Sequence, residues 1–391
     1  MDNKTPELTE TFNQRVPFAT SHSDRHAQYE ALSPYRSAGQ SLVKPNALFG
    51  NITVTKDQTV ANPIQAAINR CAEVGGGRVL INTGTYSIAN TITLKDNVSL
   101  VGQDPFRTEL NFQFGTANIV TETGASNLEI SNLSLNYCNN GSAVVYMDVP
   151  YLCELNNLIF TGNRSVTGTT FAVLVDSGYL IRMNNIDEYS SGGFVKAISD
   201  SAEVNMVNCS ALDVDIGLEG DPITTGFDFS HFTNLDIHAT KYAVKGDFYA
   251  CVFNGGHYYN YGTTGTVVAL DSVTTNNNVF QGCVIQNVMS NGVPLLIDSA
   301  GYNQFVGNTV VGTNTDGVRL QNGANDNTFV GNRITGHGTN SFGTAYSVRV
   351  GTASNNVSDT LITGNNLQVL GVTAGTVLNN GTNTVLSGNL T

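Results

Sequence analysis

The 391-residue chain has no tryptophan, and charged residues make up only 13% of it. Lys and Arg number 18 against 31 Asp and Glu, which leaves a formal charge of −13. Basic side chains so few and so scattered form no stripe that could displace counterions from a phosphate backbone, so no nucleic acid is expected as a partner. No apolar run approaches the roughly 20 residues that cross a bilayer, so membrane insertion is not expected. The opening Met1, Asp2, Asn3, Lys4 lacks the basic and apolar regions of a standard secretion signal.

Cysteine is also sparse. The six stand at 71, 138, 153, 209, 251 and 283, with no Cys-x-x-Cys pair and no His at zinc-ligand spacing from any of them. Cys209 in "MVNCSAL" and Cys283 in "FQGCVIQ" occupy apolar places in strand-like runs, so they read as reduced core residues. No loop gathers oxygen ligands at calcium spacing, and neither a metal nor any other cofactor is expected.

Helix formers are scarce too, whereas Gly is abundant (40) and Asn, Thr and Val recur along the whole length. That is the composition of strands alternating with tight turns. The stretch from Asn303 to Gly336 says nearly the same thing twice, with Phe305 and Phe329 in equivalent places. Taking the Asn or Gly after each short apolar run as an anchor gives Asn132, Asn157, Asn185, Asn208, Asn234, Gly255, Gly282, Asn308, Asn332, Asn365 and Asn389. The steps are 25, 28, 23, 26, 21, 27, 26, 24, 33 and 24. A second marker, an apolar run closed by Asp or Asn at 148, 176, 200, 221, 247, 271, 298 and 322, keeps the same drifting period.

A repeat of this length built from short β runs fits one coil of a parallel β-helix, each coil giving about three strands to three long sheets. Helical repeats would need amphipathic stretches of period 3.6, and a propeller blade roughly twice the length. One coil cannot bury its apolar face until its neighbours stack on it. Asn at the turns can adopt left-handed backbone geometry, and its amide can bond the copies above and below, about 4.8 Å away. The Asp residues of the second marker read as Asx turns.

An open coil has an end to cover. In "NPIQAAINRCAEVGGG", Asn62 is a good N-cap and Pro63 suits the first helical position. Ile64, Ala67, Ile68 and Cys71 share one face, so a capping helix is expected over about 63–74, stopped by Gly75. Residues 1–46 are polar and carry Pro17, Pro34 and Pro45, which reads as an extended N-terminal arm. Residues 47–391 form the β-helix domain.

Gln65 to Ile68, Gly75 to Ile81 and Gly84 to Tyr86 resemble the N-terminal signature of the pectate-lyase-like right-handed parallel β-helix superfamily. That signature is a short helix, a Gly-rich turn, a strand and a Gly-Thr-Tyr turn. Val60, Ala61 and Asn62 stand where the family usually carries acidic residues. The superfamily holds polysaccharide lyases, hydrolases, epimerases and bacteriophage tailspikes, and the polar arm before the coil makes this chain most like a tailspike. The resemblance implies a homotrimer on the virion, made in the host cytoplasm. Its arm, residues 1–46, would attach to a phage tail or adaptor protein, and its coil would meet a bacterial surface polysaccharide.

Hydrolysis of a glycosidic bond usually takes two carboxylates, about 5–5.5 Å apart for retention and about 6.5–9.5 Å for inversion. In "LDVDI", if Leu212, Val214 and Ile216 face the core, Asp213 and Asp215 face solvent about 6.6–6.8 Å apart. "LDIHA" offers Asp236 and His238 outward in the next coil, and "NNIDEYS" offers Asp187, Glu188 and Tyr189 in the preceding one. Stacked acids raise one another's pKa, which suits a general acid. Asp213, Asp215, Asp236 and Glu188 are therefore the catalytic candidates. Alternating Asp on a strand also fits an ordinary solvated face.

Sugar rings pack on aromatic faces. "HYYNY", with Tyr242 and Tyr249 upstream, makes Tyr189, His238, Tyr242, His257, Tyr258 and Tyr259 the substrate-binding candidates, while packing on the coil or on a neighbouring subunit explains the same rings. A lyase or epimerase would draw on Lys241, Lys245 or Arg182, but the negative charge favours a neutral or weakly charged glycan. Three readings stand: a glycan-cleaving tailspike, a non-catalytic receptor-binding or structural spike, and a lyase or epimerase.

Overall fold

The computed structural model describes residues 51–56, 62–113, 118–137, 143–162, 170–223, 226–262, 266–288, 292–312, 316–338, 346–351, 356–371 and 375–391. The expected arm over 1–46 lies outside them, as does Cys138. Apart from one helix, the described elements are strands, and every strand pairing is parallel. The chain winds through three stacks in turn. The first runs from Asn51–Val54 through Gly77–Ile81 to Val385–Ser387, the second from Gly84–Ile88 to Asn366–Gly371, and the third from Ile92–Leu94 to Gly375–Asn379. The expected parallel β-helix is the observed fold, and its crossovers follow the right-handed rule for parallel strands.

The turn between first and second stacks recurs in left-handed conformation at Asn132, Asn157, Asn185, Asn208, Asn234, Gly255, Gly282, Gly307, Gly331, Gly364 and Gly388, with φ between 51° and 66°. In the last four coils the expected anchor, Asn, sits one residue past this position. Glycine takes over the strained backbone there, and Asn moves to the next, inward place. Both arrangements form amide ladders. Among the early turns Asn157 Nδ2 donates to Asn132 Oδ1 at 2.8 Å, and Asn234 Nδ2 to Asn208 Oδ1 at 2.7 Å. In the late coils the N–H and Nδ2 of Asn308 both donate to Asn332 Oδ1 at 2.8 and 3.0 Å, and the scheme repeats to Asn365 and Asn389. Asn278, Asn303 and Asn327 form a third ladder.

The interior is one continuous apolar cluster. Its clearest column is Phe232, Phe253, Phe280, Phe305 and Phe329, whose successive ring centroids lie 4.7, 4.1, 5.1 and 4.8 Å apart. Cys71, Cys153, Cys209, Cys251 and Cys283 are buried free thiols, as expected. Burial pushes the Cys153, Cys209 and Cys283 thiols up to about 12, which keeps them protonated.

Helix α1, Pro63–Glu73, buries Ile64, Ala67, Ile68 and Cys71 against the first coil, and Asn62 Oδ1 caps Gln65 N at 3.2 Å. Gln65 clamps the strand Ile92–Leu94 by two bonds to the Thr93 backbone, at 2.7 and 3.1 Å. The chain leaves α1 through Gly75 and Gly76, at φ 90° and 130°. A side chain at Gly76 would lie 2.6 Å from the Asn97 carbonyl oxygen, so glycine is needed for that close approach as well as for its backbone angle.

Candidate functional site

The second stack carries most of the candidates on strands Tyr179–Tyr189, Ser210–Gly220, Asp236–Gly246 and His257–Asn260. Its pairings define three columns. One outward column runs Asp187, Ser210, Asp236, His257, and a second runs Tyr189, Leu212, His238, Tyr259. Between them an inward column runs Phe160, Glu188, Ala211, Ile237, Tyr258, Ile285.

Two expectations fail on that inward column. Glu188 is fully buried rather than outward, and its Oε1 accepts from Tyr137 Oη at 2.9 Å. Its place in the column is Phe160's in the coil before, with the small Ala211 in the coil after. Desolvation drives its carboxyl up to about 8, opposed by hydrogen bonds from Ser191 and Tyr137, so Glu188 is protonated at neutral pH but enclosed away from any substrate. Tyr258 is likewise in the core, edge-on to Phe253, and its buried hydroxyl has no hydrogen-bond partner among the described residues. Strand alternation that turns His257 and Tyr259 outward necessarily turns Tyr258 inward.

The outward pair of "LDIHA" is where the sequence puts it, since Leu235 and Ile237 are buried. Asp236 Oδ1 lies 3.1 Å from His238 Nε2 on its own strand and 3.4 Å from His257 Nδ1 on the next. The two imidazoles meet edge to face, and the Tyr259 ring lies 5.0 Å from His238 and 5.6 Å from His257. One coil back, Ser210 Oγ donates to Asp187 Oδ1 at 2.5 Å. Sequence reasoning nominated these residues one by one but missed that Asp236, His238 and His257 converge. The missed signal is the local step between anchors Asn234 and Gly255, which sets Asp236 directly opposite His257.

"LDVDI" is not the straight strand its alternation suggests. Asp213 has φ 61°, and the pairing slips between Leu212 and Val214 and again between Val214 and Ile216. The bulge leaves Leu212 facing outward and half-buried, with Ala211 and Val214 in the core. It also removes the straight-strand basis for the expected carboxylate spacing. Asp213 accepts hydrogen bonds from Tyr261 Oη and from Ser190 Oγ, the latter at 3.2 Å. Asp215 accepts from Thr240 Oγ1 at 2.6 Å and pairs with Lys241 Nζ at 3.0 Å.

Tyr242 is separated from the strip. It belongs to the third stack, where it packs on the small outer cluster of Ala143, Phe171, Leu174 and Ile216 beneath Lys245 Nζ, 5.1 Å from its ring centre. Arg182, a candidate for a lyase or epimerase, pairs with Glu154 at 3.4 Å. Of the Asp turn column, Asp176 accepts from Tyr146 and Ser177, and Asp298 from Gln321 and Asn322 of the following coil, so these side chains tie turns together. Asp316, not singled out by sequence, is buried between Arg319 and Arg349, at 2.9 and 2.6 Å.

No protein-family model and no curated protein matches the chain. Solved structures do. The catalytic domain of a GH87 alpha-1,3-glucanase solved with tetrasaccharides aligns with a TM-score of 0.63 at 13% identity, over 90% of this chain and 70% of that one. DFA-IIIase from Arthrobacter chlorophenolicus A6, solved with GF2, gives 0.57 at 10% identity over 86% and 93%. The A-module of a mannuronan C-5 epimerase from Azotobacter vinelandii gives 0.52 at 14% over 84% and 94%. At such identities the likeness speaks of fold, and the fold these proteins share with this chain is the right-handed parallel β-helix.

Proposed function

We propose that the chain is a polysaccharide-recognising spike of the bacteriophage tailspike kind, which lays a bacterial surface glycan along the second-stack flank. The observation that carries this is the pair of outward columns over four successive coils, in which three coils present tyrosine, histidine or carboxylate and the one between them presents Ser210 and Leu212. Tyr189 and Tyr259 offer ring faces to the apolar side of a pyranose, and Asp187, Asp236 and the imidazoles offer hydrogen bonds to its hydroxyls. The coil spacing of about 4.8 Å is close to the length of a sugar ring, so an extended glycan can meet each coil in turn. Two of the solved neighbours named above, the alpha-1,3-glucanase and the mannuronan C-5 epimerase, are named for polysaccharides, and that supports the substrate class.

Binding without cleavage is the form the contacts of the outward carboxylates favour. The outward carboxylates sit beside donors or cations, Asp213 with Ser190 and Tyr261, Asp215 with Thr240 and Lys241, and Asp236 with two histidines. Asp213 and Asp215 are thus occupied as acceptors within the protein, whereas a general acid must hold a proton and present it to the glycosidic oxygen. The carboxyl that does hold one, Glu188, is inside the coil. Hydrolysis remains the second reading because Asp213 and Asp215 lie one residue apart on the bulged strand at the edge of the same strip.

Incubating the protein with surface polysaccharides of candidate hosts, then measuring both co-sedimentation and product length, separates the readings. Retained glycan of unchanged length supports recognition alone. Shortened glycan, abolished by Asp213→Asn with Asp215→Asn, moves the second reading ahead. Failure to retain any bacterial surface glycan refutes both.

A further inference from the structure

We infer that Asp236, His238 and His257 form a binding site for a divalent transition-metal ion, zinc by ligand type, on the flank of the coil. The three side chains each offer one ligand atom, and all three atoms lie within 4.8 Å of one another. Around a tetrahedral zinc with bonds of about 2.0–2.2 Å, neighbouring donors lie about 3.3 Å apart. The Asp236 oxygen lies 3.1 Å from one imidazole nitrogen and 3.4 Å from the other, so two edges of that tetrahedron are already formed.

The fold explains why they meet. Asp236 and His238 are two apart on one strand and therefore share its outer face, and register sets His257 directly beside Asp236 on the next coil. All three stand on strands rather than loops, which fixes the donor positions before any ion arrives. Two imidazoles and one carboxylate suit zinc, cobalt, nickel or copper, and poorly suit calcium or magnesium, which take oxygen ligands.

The site is also accessible. Asp236, His238 and His257 side chains are 52%, 33% and 37% exposed, so an ion held by three protein ligands keeps at least one coordination position toward solvent. The Tyr259 ring lies beside the site, 5.0 Å from His238 and 5.6 Å from His257, so a water, a sugar hydroxyl or a sugar carboxylate on the strip could take that position. Zinc binding itself requires no glycan, so it stands or falls separately from the proposed function.

The test uses the untagged full chain, freed of metal by dialysis against a chelator and titrated with zinc chloride by calorimetry. One zinc ion per chain is expected above any background shared with His238→Ala/His257→Ala. In that double variant, affinity at the site should fall by at least about a hundredfold, because two of three ligands are gone. Calcium chloride should give no comparable uptake. Equal zinc uptake by wild type and variant overturns the proposal. If the variant does not fold, zinc-soaked crystals of the wild type decide: an anomalous peak between Asp236, His238 and His257 supports the site, and its absence refutes it.

Discussion

The middle coils and the late coils use the same backbone for opposite ends. From Asn303 to Gly336 the repeat is nearly literal, and the asparagines of its ladders point inward to copies of themselves. Asn308, Asn332, Asn365 and Asn389 pass the same pair of hydrogen bonds along the axis. In the middle coils the outward second-stack columns change identity at every step, from Asp187 to Ser210, Asp236 and His257. Repetition lets each amide satisfy the next and consumes the polar groups in holding the coil. Departure from repetition leaves polar groups free of that task and available to a ligand.

Breaking a ladder should cost the most stability. Asn332→Ala removes the acceptor shared by two donors of Asn308 and the donor to the Phe305 carbonyl. Buried groups left unpaired cost about 1–3 kcal/mol each, so several kcal/mol are expected in chemical denaturation. His257→Ala, an outward change in the middle coils, should stay within about 0.5 kcal/mol. Equal losses at the two places would erase the contrast.

Next comes Glu188, a carboxyl that the middle coils turn inward from the strip strands. Burial holds its carboxyl at about 8 in the folded state, above the ordinary glutamate value of 4.5, so the folded state holds a proton that the unfolded state releases. Stability is therefore undiminished below about pH 4.5, declines as pH rises, and reaches its full loss above about pH 8. Glu188→Gln keeps an acceptor for Tyr137 and cannot ionise. It should flatten this slope and stabilise the protein at alkaline pH by an amount on the order of a few kcal/mol. Identical pH profiles for wild type and variant would show that Glu188 is solvated.

Much of this architecture is legible in the sequence because a solenoid writes its period in the chain. Ile64, Ala67, Ile68 and Cys71 announce α1, and Asn132 through Asn234 mark left-handed turns that each need Asn or Gly. The site is less legible because a face depends on single-residue register. One bulge at Asp213 turns Leu212 outward, and the count from Asn185 puts Glu188 inward although its charge suggests the reverse. The convergence of Asp236 with His257 needs the local step between coils to be right to the residue, and neighbouring steps differ by several residues. Charge and aromaticity say which residues could act. They do not say which side of the wall they stand on.

The smallest expected effect tests that wall directly. Tyr258 and Tyr259 are adjacent, one buried with a hydroxyl that finds no partner among the described residues and one on the strip. Tyr258→Phe should leave glycan retention unchanged and raise stability by up to about 1 kcal/mol, since it deletes a desolvated hydroxyl. A loss of stability would mean that the hydroxyl has a partner after all.

The most direct measurement is affinity electrophoresis through host polysaccharide, comparing substitutions in the same outward column at its two ends. Tyr189→Ala with Tyr259→Ala alters the middle coils, and Gln286→Ala with Gln368→Ala alters the later ones. Retardation lost in the tyrosine pair and kept in the glutamine pair is expected if the glycan lies along the middle strip. Retardation kept in the tyrosine pair, or lost equally in both, would contradict it.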